Sequence, residues 1–431
     1  MIKSISLWHL TPANLGIEFI DATNTTLEAN SELYRMVNDP EYTIDRTRYN
    51  GTDYDTIQRI RHFINKVREK TVAHPDIRFD DNFPDVTDCL SKIIISDNLF
   101  CYVMASGIVI FYERGRTIPI EEEEYYSISA FHERVVYEND YCYNPEVTER
   151  KKEVYSFLEL LWSCIPEKDY PFTSSKLYGN HGISYTLCIT VIDIPKLESN
   201  NIGIVNKRNV RALLDTSAFN NILNPDQREL IKKRIDNDNI NDLRMIEMSE
   251  TLVIADNWSG VVVIGDIAAN DLCLKWFLDF EIYLQANWFL FDVCCDHIVK
   301  QKLSIIEMQD ILNRAEFAKV KLNNDIGSNM EQCQHVLRQS LIKTSDINTI
   351  YHRMHGLLTN KLKIEQMKNE TDKSKYALIA DISLFIVALI EVYGVIREVV
   401  SNGIERADFI SIAIMTAVAA ICTYFIIKGH K

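Results

Sequence analysis

Proline is confined to one part of this 431-residue chain. All ten prolines lie between Pro12 and Pro225, and the rest of the chain contains none. Proline lacks the amide hydrogen that a helix interior needs, and its ring clashes with the preceding turn, so a proline-free region permits long helices. Glycine also becomes rare after Gly265. This distribution predicts a mixed α/β region with many turns, followed by long helices.

The net charge of −15 and the ten cysteines narrow the class of protein. Nucleic-acid binding needs clustered lysine and arginine to neutralise phosphates, so we expect no direct nucleic-acid partner. The cysteines form no C-x-x-C pair, and Cys294-Cys295-Asp296-His297 is more typical of reduced core thiols than of a metal site. Met1 to Leu10 has no basic leader before an apolar core, and we expect it to contain the first strand.

Two stretches of the first region resemble each other without gaps. Ser96–Glu113 reads SDNLFCYVMASGIVIFYE, and Ser249–Asp266 reads SETLVIADNWSGVVVIGD. Each has an apolar strand, a Ser-Gly turn and a second strand rich in β-branched residues. Glycine suits a tight bend because it accepts positive φ without steric penalty. We predict a β-hairpin in each stretch, and leave open whether the likeness reflects duplication or convergence.

Apolar periodicity predicts the other elements of this region. We expect further strands at Ile2–Trp8, Ile128–Tyr137 and Tyr185–Ile194. We expect helices at Lys151–Cys164, Lys207–Phe219 and Asp226–Asp236. The acidic run Glu121–Glu124 is interpreted as a solvated loop or strand edge.

From Asp271 onward the pattern becomes helical. Asp271–Lys302 is strongly apolar and aromatic, but it contains four recurring charges that a membrane span would not usually carry: Lys275, Asp279, Glu281 and Asp292. We therefore predict a helix packed on the α/β domain.

The next segment, Leu303–Asp372, has apolar residues at helical spacing among polar ones. This pattern predicts an amphipathic stalk of one or two long helices, with a bend near Gly327 or Gly356.

Two apolar segments close the chain. Tyr376–Ile396 has about the length needed to cross a bilayer, and Phe409–Ile427 contains no charge. Lysines flank the outer ends of the pair, which by the positive-inside rule predicts both termini on the cytoplasmic side of the inner cell membrane. We thus predict a multi-pass membrane protein with three parts: a cytoplasmic α/β regulatory domain at 1–270, a packed helix and stalk at 271–372, and a two-helix transmembrane hairpin at 373–431.

One stripe of the first apolar segment carries acidic residues. In a heptad pattern the stripe contains Asp381, Leu384, Ala388, Glu391, Val395 and Glu398. Several parallel copies would surround a water-filled axis with these acids, which would thereby avoid lipid. We predict a pore lining, with interfacial snorkelling of Asp381 and Glu391 as the alternative.

The layout resembles the CorA family of homopentameric cation channels. In that family the first span lines the pore and ends in Tyr-Gly-Met-Asn, whereas this chain reads Tyr393-Gly394-Val395-Ile396. The asparagine of the family holds a hydrated magnesium ion, so the filter here is degenerate and magnesium selectivity is in doubt. The resemblance implies a CorA-like homo-oligomer, a homopentamer in the lipid bilayer.

A subgroup of CorA-like proteins is similar in its degenerate filter and enlarged cytoplasmic domain. These proteins are encoded beside type III CRISPR systems and respond to a nucleotide second messenger, a conjugate of S-adenosylmethionine with AMP. The resemblance implies a ligand-gated membrane effector or ion channel in antiviral defence. The alternatives are a divalent-cation transporter with a degenerate filter and a non-conducting membrane-anchored scaffold.

Two loops and one aromatic residue have the chemistry to bind such a nucleotide. Ser174–Tyr185 offers glycines, an amide and an imidazole, and Asn206–Arg211 opens a predicted helix with cations. A tryptophan at the second hairpin turn could stack on adenine. The candidate residues are Lys176, Asn180, His181, Lys207, Arg208, Arg211 and Trp258.

Motifs for catalysis are missing from the sequence. It contains no G-x-S-x-G, no Walker loop, no H-E-x-x-H and no paired carboxylates or Cys/His pairs at recognisable spacing. We predict neither catalytic nor metal-ligating residues and do not expect an enzyme.

Overall fold

The computed structural model describes the chain in these ranges: 3–16, 19, 30–49, 51–119, 145–165, 186–194, 210, 214, 245–257, 260–300, 302–324 and 332–402. The chain divides into two compact units, Met1–Leu357 and Leu358–Lys431. The predicted divisions after residues 270 and 372 stay predictions. The sheet and the candidate site described below belong to the first unit.

Nine strands form one mixed sheet in the described part of the chain. They are β1 Ser4–Asn14, β2 Arg78–Phe79, β3 Cys89–Ser96, β4 Leu99–Met104, β5 Ile108–Pro119, β6 Leu187–Asp193, β7 Met245–Ser249, β8 Leu252–Asn257 and β9 Gly260–Gly265. Their order across the sheet is β2-β3-β4-β5-β1-β6-β9-β8-β7. The pair β6–β9 is parallel and the other neighbouring pairs are antiparallel.

The helices of the described ranges come between and after these strands in the chain. They are α1 Ser31–Asn38, α2 Gly51–Thr71, α3 Pro145–Ser163, α4 Asp271–Lys300, α5 Ile305–Asn324, α6 Gln332–Thr344 and α7 Ile347–Asn402. At the start of α1, the Asn30 side chain accepts a hydrogen bond from the Leu33 amide at 2.9 Å, which satisfies one of the free amides of the first turn.

One face of β3, β4 and β5 packs against α1, α2 and α3. Alternate residues of the strands point to this face because side chains in a strand alternate with a period of two. Cys101 on β4 and Phe111 on β5 are buried there with Ile60 of α2 and Phe157 of α3. Each large apolar side chain buried in this way contributes about 1.5–3 kcal/mol. The intervening strand residues therefore face the other side of the sheet.

That other side is covered by α4. This helix packs on β1 and β5, which confirms the predicted packed helix. Phe277, Phe289 and Phe291 are fully buried, and several polar side chains are buried beside them: Asp279, Glu281, Gln285 and Asn287. Of the charges that distinguished this segment from a membrane span, Asp279 and Glu281 thus lie inside the fold, whereas Lys275 is exposed.

Both predicted hairpins are confirmed, but their turns differ. In β4–β5, Val103 pairs with Val109, and Gly107 adopts φ 80° in the connecting loop. In β8–β9, Asn257 pairs with Gly260, so only two residues connect the strands. The ungapped alignment would require equal loops, and the second hairpin is shifted by one residue relative to it.

Other predicted elements have mixed outcomes. The first strand extends as far as Asn14, Tyr185–Ile194 contains β6, and Lys151–Cys164 coincides with the second half of α3. Four predictions lie outside the described residues in whole or nearly so: Ile128–Tyr137, Lys207–Phe219, Asp226–Asp236 and Glu121–Glu124. The segment predicted to be a stalk of one or two long helices instead contains α5, α6 and the first part of α7, and α6 packs on β7 and β8. The helix α7 has no break at Gly356, and Gly327 is not described.

The predicted transmembrane hairpin is wrong. Within the described ranges, no helix has an apolar stretch that meets the length needed to cross a bilayer. Tyr376–Ile396 lies inside α7, where Asp381 and Glu391 interrupt the apolar run and raise the cost of insertion. Phe409–Ile427 lies outside the described residues. The inner-membrane localisation, the membrane-protein and ion-channel assignments and the C-terminal part of the predicted fold class are corrected accordingly.

Candidate functional site

A cavity of about 310 Å³ lies between the sheet and α4. Its volume is at the small end of the range for ligand pockets. The sheet contributes Trp8, Lys92, Phe100, Tyr102, Tyr112 and Arg114. The helix side contributes Ile267, Asp271, Leu274, Lys275, Leu278 and Asp279, and the loop after β2 contributes Asp80, Asn82, Phe83 and Pro84.

The strand register brings the sheet residues of the cavity together. Lys92 pairs with Tyr102, Phe100 pairs with Tyr112, and Trp8 pairs with Arg114 across four neighbouring strands. Directly opposite residues in an antiparallel pair have their side chains on the same face. All six side chains therefore point away from the core formed with α2 and α3.

Aromatic rings form the floor of the cavity. The rings of Phe100 and Tyr112 are stacked, with centroids 5.6 Å apart and planes at 20°. The ring of Trp8 meets Tyr112 edge-on at 6.0 Å and 77°. Burial raises the pKa of both Tyr102 and Tyr112, so their hydroxyls stay protonated at neutral pH. The floor is thus aromatic, uncharged and able to donate hydrogen bonds.

Two buried polar atoms of the cavity have no hydrogen-bond partner within the protein as described. They are the indole Nε1 of Trp8 and the Oδ2 of Asp279. The two residues are 6% and 8% exposed. A buried donor or acceptor without a partner costs about 1–3 kcal/mol, and native proteins keep few of them. A bound molecule that supplied an acceptor and a donor would satisfy both.

Asp279 has a perturbed carboxyl group. Burial raises its pKa to about 6, the positive charges of Lys275 and Lys92 oppose this rise, and the Asp85 carboxylate adds to it. The group therefore changes between a proton donor and a charged acceptor close to physiological pH.

Two of the cations that line the cavity form salt bridges with nearby carboxylates, and another is exposed at the rim. The Nζ of Lys92 lies 2.7 Å from the Oδ2 of Asp80, and the Nζ of Lys275 lies 2.7 Å from the Oδ2 of Asp85. Arg114 is exposed at the rim. The Asp85 contact is the main cause of the raised pKa of Lys275, which keeps that ammonium charged.

The loop between β2 and β3 borders the cavity and is here called the strap, residues 80–88. Its first residue is fixed to β3, because the Asp80 amide donates to the Lys92 carbonyl at 2.9 Å. Its last residue, Asp88, accepts from the Ala105 amide at 2.9 Å and contacts Lys321 of α5. Between these ends, the ring of Phe83 packs edge-on against Tyr34 at 5.4 Å.

A larger depression of about 960 Å³ lies at the β2 edge of the sheet, between the residues that follow α2, the β3–β4 turn and α3. Its charges have both signs and include Arg78, Asp97, Glu149 and Lys152. The described residues lining it contain no buried polar atom that lacks a partner. We therefore regard the smaller cavity as the better candidate.

A second cluster of buried polar side chains lies between β8, α4 and α6. The Ser340 hydroxyl donates to the Oδ1 of Asp256 at 3.0 Å, and the Thr344 hydroxyl donates to Oδ2. On α4, the Gln285 amide donates to the Oε1 of Glu281 at 2.7 Å. Burial, and after it the Asp256 charge, raise the pKa of Glu281 to about 7.

The structure does not test the predicted ligand-binding residues. Lys176, Asn180, His181, Lys207, Arg208, Arg211 and Trp258 all lie outside the described residues. In the described ranges, no group of three or more His, Cys, Asp or Glu side chains could hold a metal ion. Cys294, Cys295 and His297 are buried on α4.

The predicted pore residues lie on α7. Leu384 is 69% exposed, Ala388 is exposed and Asp381 is half-buried, while the side chains of Glu391, Val395 and Glu398 are not described. In the predicted filter, Gly394 is exposed and the side chains of Tyr393 and Ile396 are not described. A pore lining depends on the transmembrane hairpin, so this assignment is not carried forward.

Sequence reasoning missed the cavity, although part of its signal was present. Phe100-x-Tyr102 and Tyr112-x-Arg114 repeat with the period of a strand, opposite the apolar residues between them. Asp279 was noted as a charge in an apolar helix. The pairing of these strands with each other and with Trp8 could not be read from the sequence.

Comparison with family models, curated proteins and solved structures finds no match to the chain. The CorA resemblance, including homopentamer formation, therefore stays a prediction.

Proposed function

We propose that the protein is a receptor for a small anionic molecule with an aromatic ring, of the nucleotide class, which binds in the cavity between the sheet and α4. The observation that carries this proposal is the pair of unpartnered buried atoms, Trp8 Nε1 and Asp279 Oδ2, on the wall of one cavity. A purely structural cavity gains nothing from a buried donor and a buried acid without partners.

The floor suits the base of such a ligand. Phe100, Tyr102 and Tyr112 present neutral aromatic surface, and aromatic stacking contributes about 0.5–1.5 kcal/mol beyond the burial of area. A heteroaromatic base carries ring nitrogens that can accept from Trp8 and exocyclic amines that can donate to Asp279. The polar edge of a base thus matches the two unpartnered atoms.

The rim suits a phosphate. The Arg114 guanidinium is exposed there, and Lys275 lies on the α4 side. Arginine binds phosphate through paired hydrogen bonds, and lysine binds it as a point charge. An acidic protein with a few cations at one cavity would select small anions without attracting nucleic acid.

The resemblance to CRISPR-associated CorA-like effectors adds one specific ligand to test, the conjugate of S-adenosylmethionine with AMP. This ligand contains adenine, which is a heteroaromatic base, and a phosphate group. A role in antiviral defence stays a prediction from that resemblance. Conduction, transport and membrane anchoring are not part of the proposal.

The proposal is tested by calorimetric titration with AMP, the S-adenosylmethionine–AMP conjugate, adenosine and inorganic phosphate. We expect the nucleotides to bind, and Trp8→Phe and Asp279→Asn each to weaken binding about tenfold, since one hydrogen bond contributes about 1.4 kcal/mol. Asp55→Asn is the matched control, because Asp55 is exposed on α2, on the far face of the sheet. Binding that is equally strong in all three variants, or no nucleotide binding, would refute the proposal.

A further inference from the structure

The strap borders the cavity and carries its own carboxylates to the cavity cations. Asp80 neutralises Lys92, and Asp85 neutralises Lys275. Both lysines line the cavity. In this arrangement the strap supplies from within the chain the negative charge that an anionic ligand would otherwise supply.

The ion pairs of the strap differ in their exposure. Lys92 and Asp80 are mostly buried, and so are Lys321 and Asp88 at the other end. The side chains of Lys275 and Asp85 are 56% and 70% exposed. Exposed pairs contribute little to stability, because water and salt screen them. The middle contact is therefore the one that a competing anion can replace most easily.

The backbone of the strap is also fixed more firmly at its ends. Asp80 and Asp88 are held by backbone hydrogen bonds to Lys92 and Ala105. Asp88 adopts φ 61°, a left-handed conformation that aspartate tolerates better than most residues. Pro84 and Val86, on either side of Asp85, are buried, so a competing anion would displace the exposed Asp85 side chain from Lys275 while the strap backbone stays in place.

We propose that the strap is an autoinhibitory gate, in which Asp85 occupies Lys275 until the anionic group of a ligand displaces it. This inference rests on the proposed function, since it assigns the regulation of the same cavity. The ligand chemistry needed to open the gate is a phosphate or diphosphate group. An uncharged aromatic ligand leaves the Asp85–Lys275 contact unchanged.

The test compares Asp85→Asn with Asp81→Asn. Both substitutions remove one negative charge from an exposed position of the strap, but only Asp85 contacts Lys275. Inorganic pyrophosphate is the probe, titrated at low ionic strength. We expect Asp85→Asn to bind it about fivefold more tightly than the wild type, and Asp81→Asn to stay within about twofold, because long-range charge effects are weak in water.

A further variant identifies the cation involved. In Asp85→Asn/Lys275→Met, the gain in pyrophosphate affinity should disappear. The gate is refuted if Asp85→Asn binds pyrophosphate no more tightly than Asp81→Asn does, or if the gain in affinity persists in the variant without Lys275. It is also refuted if neither single variant binds pyrophosphate. Circular dichroism checks that each variant is folded.

Failure of the gate and failure of the receptor proposal give different results. Pyrophosphate affinity that depends on Asp85, with no binding of AMP to any variant, would support the gate and refute the nucleotide receptor. AMP binding that Asp85→Asn leaves unchanged would refute the gate alone.

Discussion

Two buried carboxyl groups lie two residues apart on α4, in surroundings that differ sharply. Asp279 faces the cavity, and its Oδ2 has no partner among the described residues. Glu281 lies near the contact between β8 and α6, away from the cavity. Gln285 donates to its Oε1, its Oε2 has no hydrogen-bond partner among the described residues, and the neighbouring Asp256 accepts hydrogen bonds from two hydroxyls. Both acids have a raised pKa because they are buried.

The difference separates a structural polar cluster from a binding site. Around Asp256, side chains of the protein itself supply the donors, so the cluster joins β8 to α6 without any other molecule. Around Asp279 the protein leaves space instead of a donor. A raised pKa alone therefore does not identify a functional group, whereas an unpartnered atom beside an aromatic cavity does.

The largest loss of stability is expected when Asp256, the acceptor in the structural polar cluster, is replaced. Asp256→Ala removes the acceptor of Ser340 and Thr344 and should lower the free energy of unfolding by about 4 kcal/mol, since each hydrogen bond to a charged group contributes about 1.5–3 kcal/mol. Asp279→Ala, measured at pH 5, should change it by less than about 1 kcal/mol. Urea unfolding measures both. Equal losses in the two variants would remove the distinction between the regions.

The next largest effect is the pH dependence of the unfolding free energy that Glu281 causes. Its pKa in the folded protein, about 7, is above the ordinary value of 4.5. The stability that its protonated form contributes is therefore complete below pH 4.5 and is lost as the pH rises through 7. Glu281→Gln should match the wild type at pH 4 and be about 3 kcal/mol more stable at pH 8.

Glu69→Gln on α2 is the control for this measurement, because Glu69 is exposed. It should leave the unfolding free energy within about 0.5 kcal/mol at both pH values. A wild-type protein whose stability is the same at pH 4.5 and pH 8 would show that Glu281 does not pay the desolvation penalty inferred from its burial.

The strands and α4 could be predicted because their patterns are local. The Ser-Gly bends and alternating apolar residues identified both hairpins, and the charges of Asp271–Lys302 identified a packed helix. The one-residue difference between the hairpin turns was invisible, because aligned sequence letters do not specify strand pairing. The parallel pair β6–β9 depends on contacts between residues about 70 positions apart, which no local pattern encodes.

The site could not be predicted for the same reason. Trp8, Tyr112 and Asp279 come from three distant parts of the chain, and only the strand order β5-β1 and the position of α4 bring them together. The C-terminal error has another origin. Tyr376–Ile396 was interpreted as a span from its length, apolar content and flanking lysines, with Asp381 and Glu391 assigned to a pore axis, whereas no helix of the described ranges qualifies as a membrane span.

The smallest predicted effect is the contribution of Asp279, the acid that faces the cavity, to the pH dependence of the unfolding free energy. In a Glu281→Gln background, the remaining loss of stability between pH 4 and pH 6 should belong to Asp279, whose pKa in the folded protein is about 6. Its stabilising contribution is complete below pH 3.8 and is lost as the pH rises through 6. Adding Asp279→Asn should remove this slope and raise the unfolding free energy at pH 8 by about 2 kcal/mol, less than for Glu281 because Asp279 is less completely buried.

Saturating AMP then distinguishes the two acids directly. A ligand that donates to Asp279 stabilises its charged form, so AMP should flatten the slope between pH 4 and pH 6 in the Glu281→Gln protein. The same ligand should leave the Glu281 contribution unchanged in the Asp279→Asn protein, because Glu281 lies outside the cavity lining. A slope that AMP does not alter would mean that Asp279 makes no contact with the ligand, and that the unpartnered Oδ2 is a cost of folding without a role in binding.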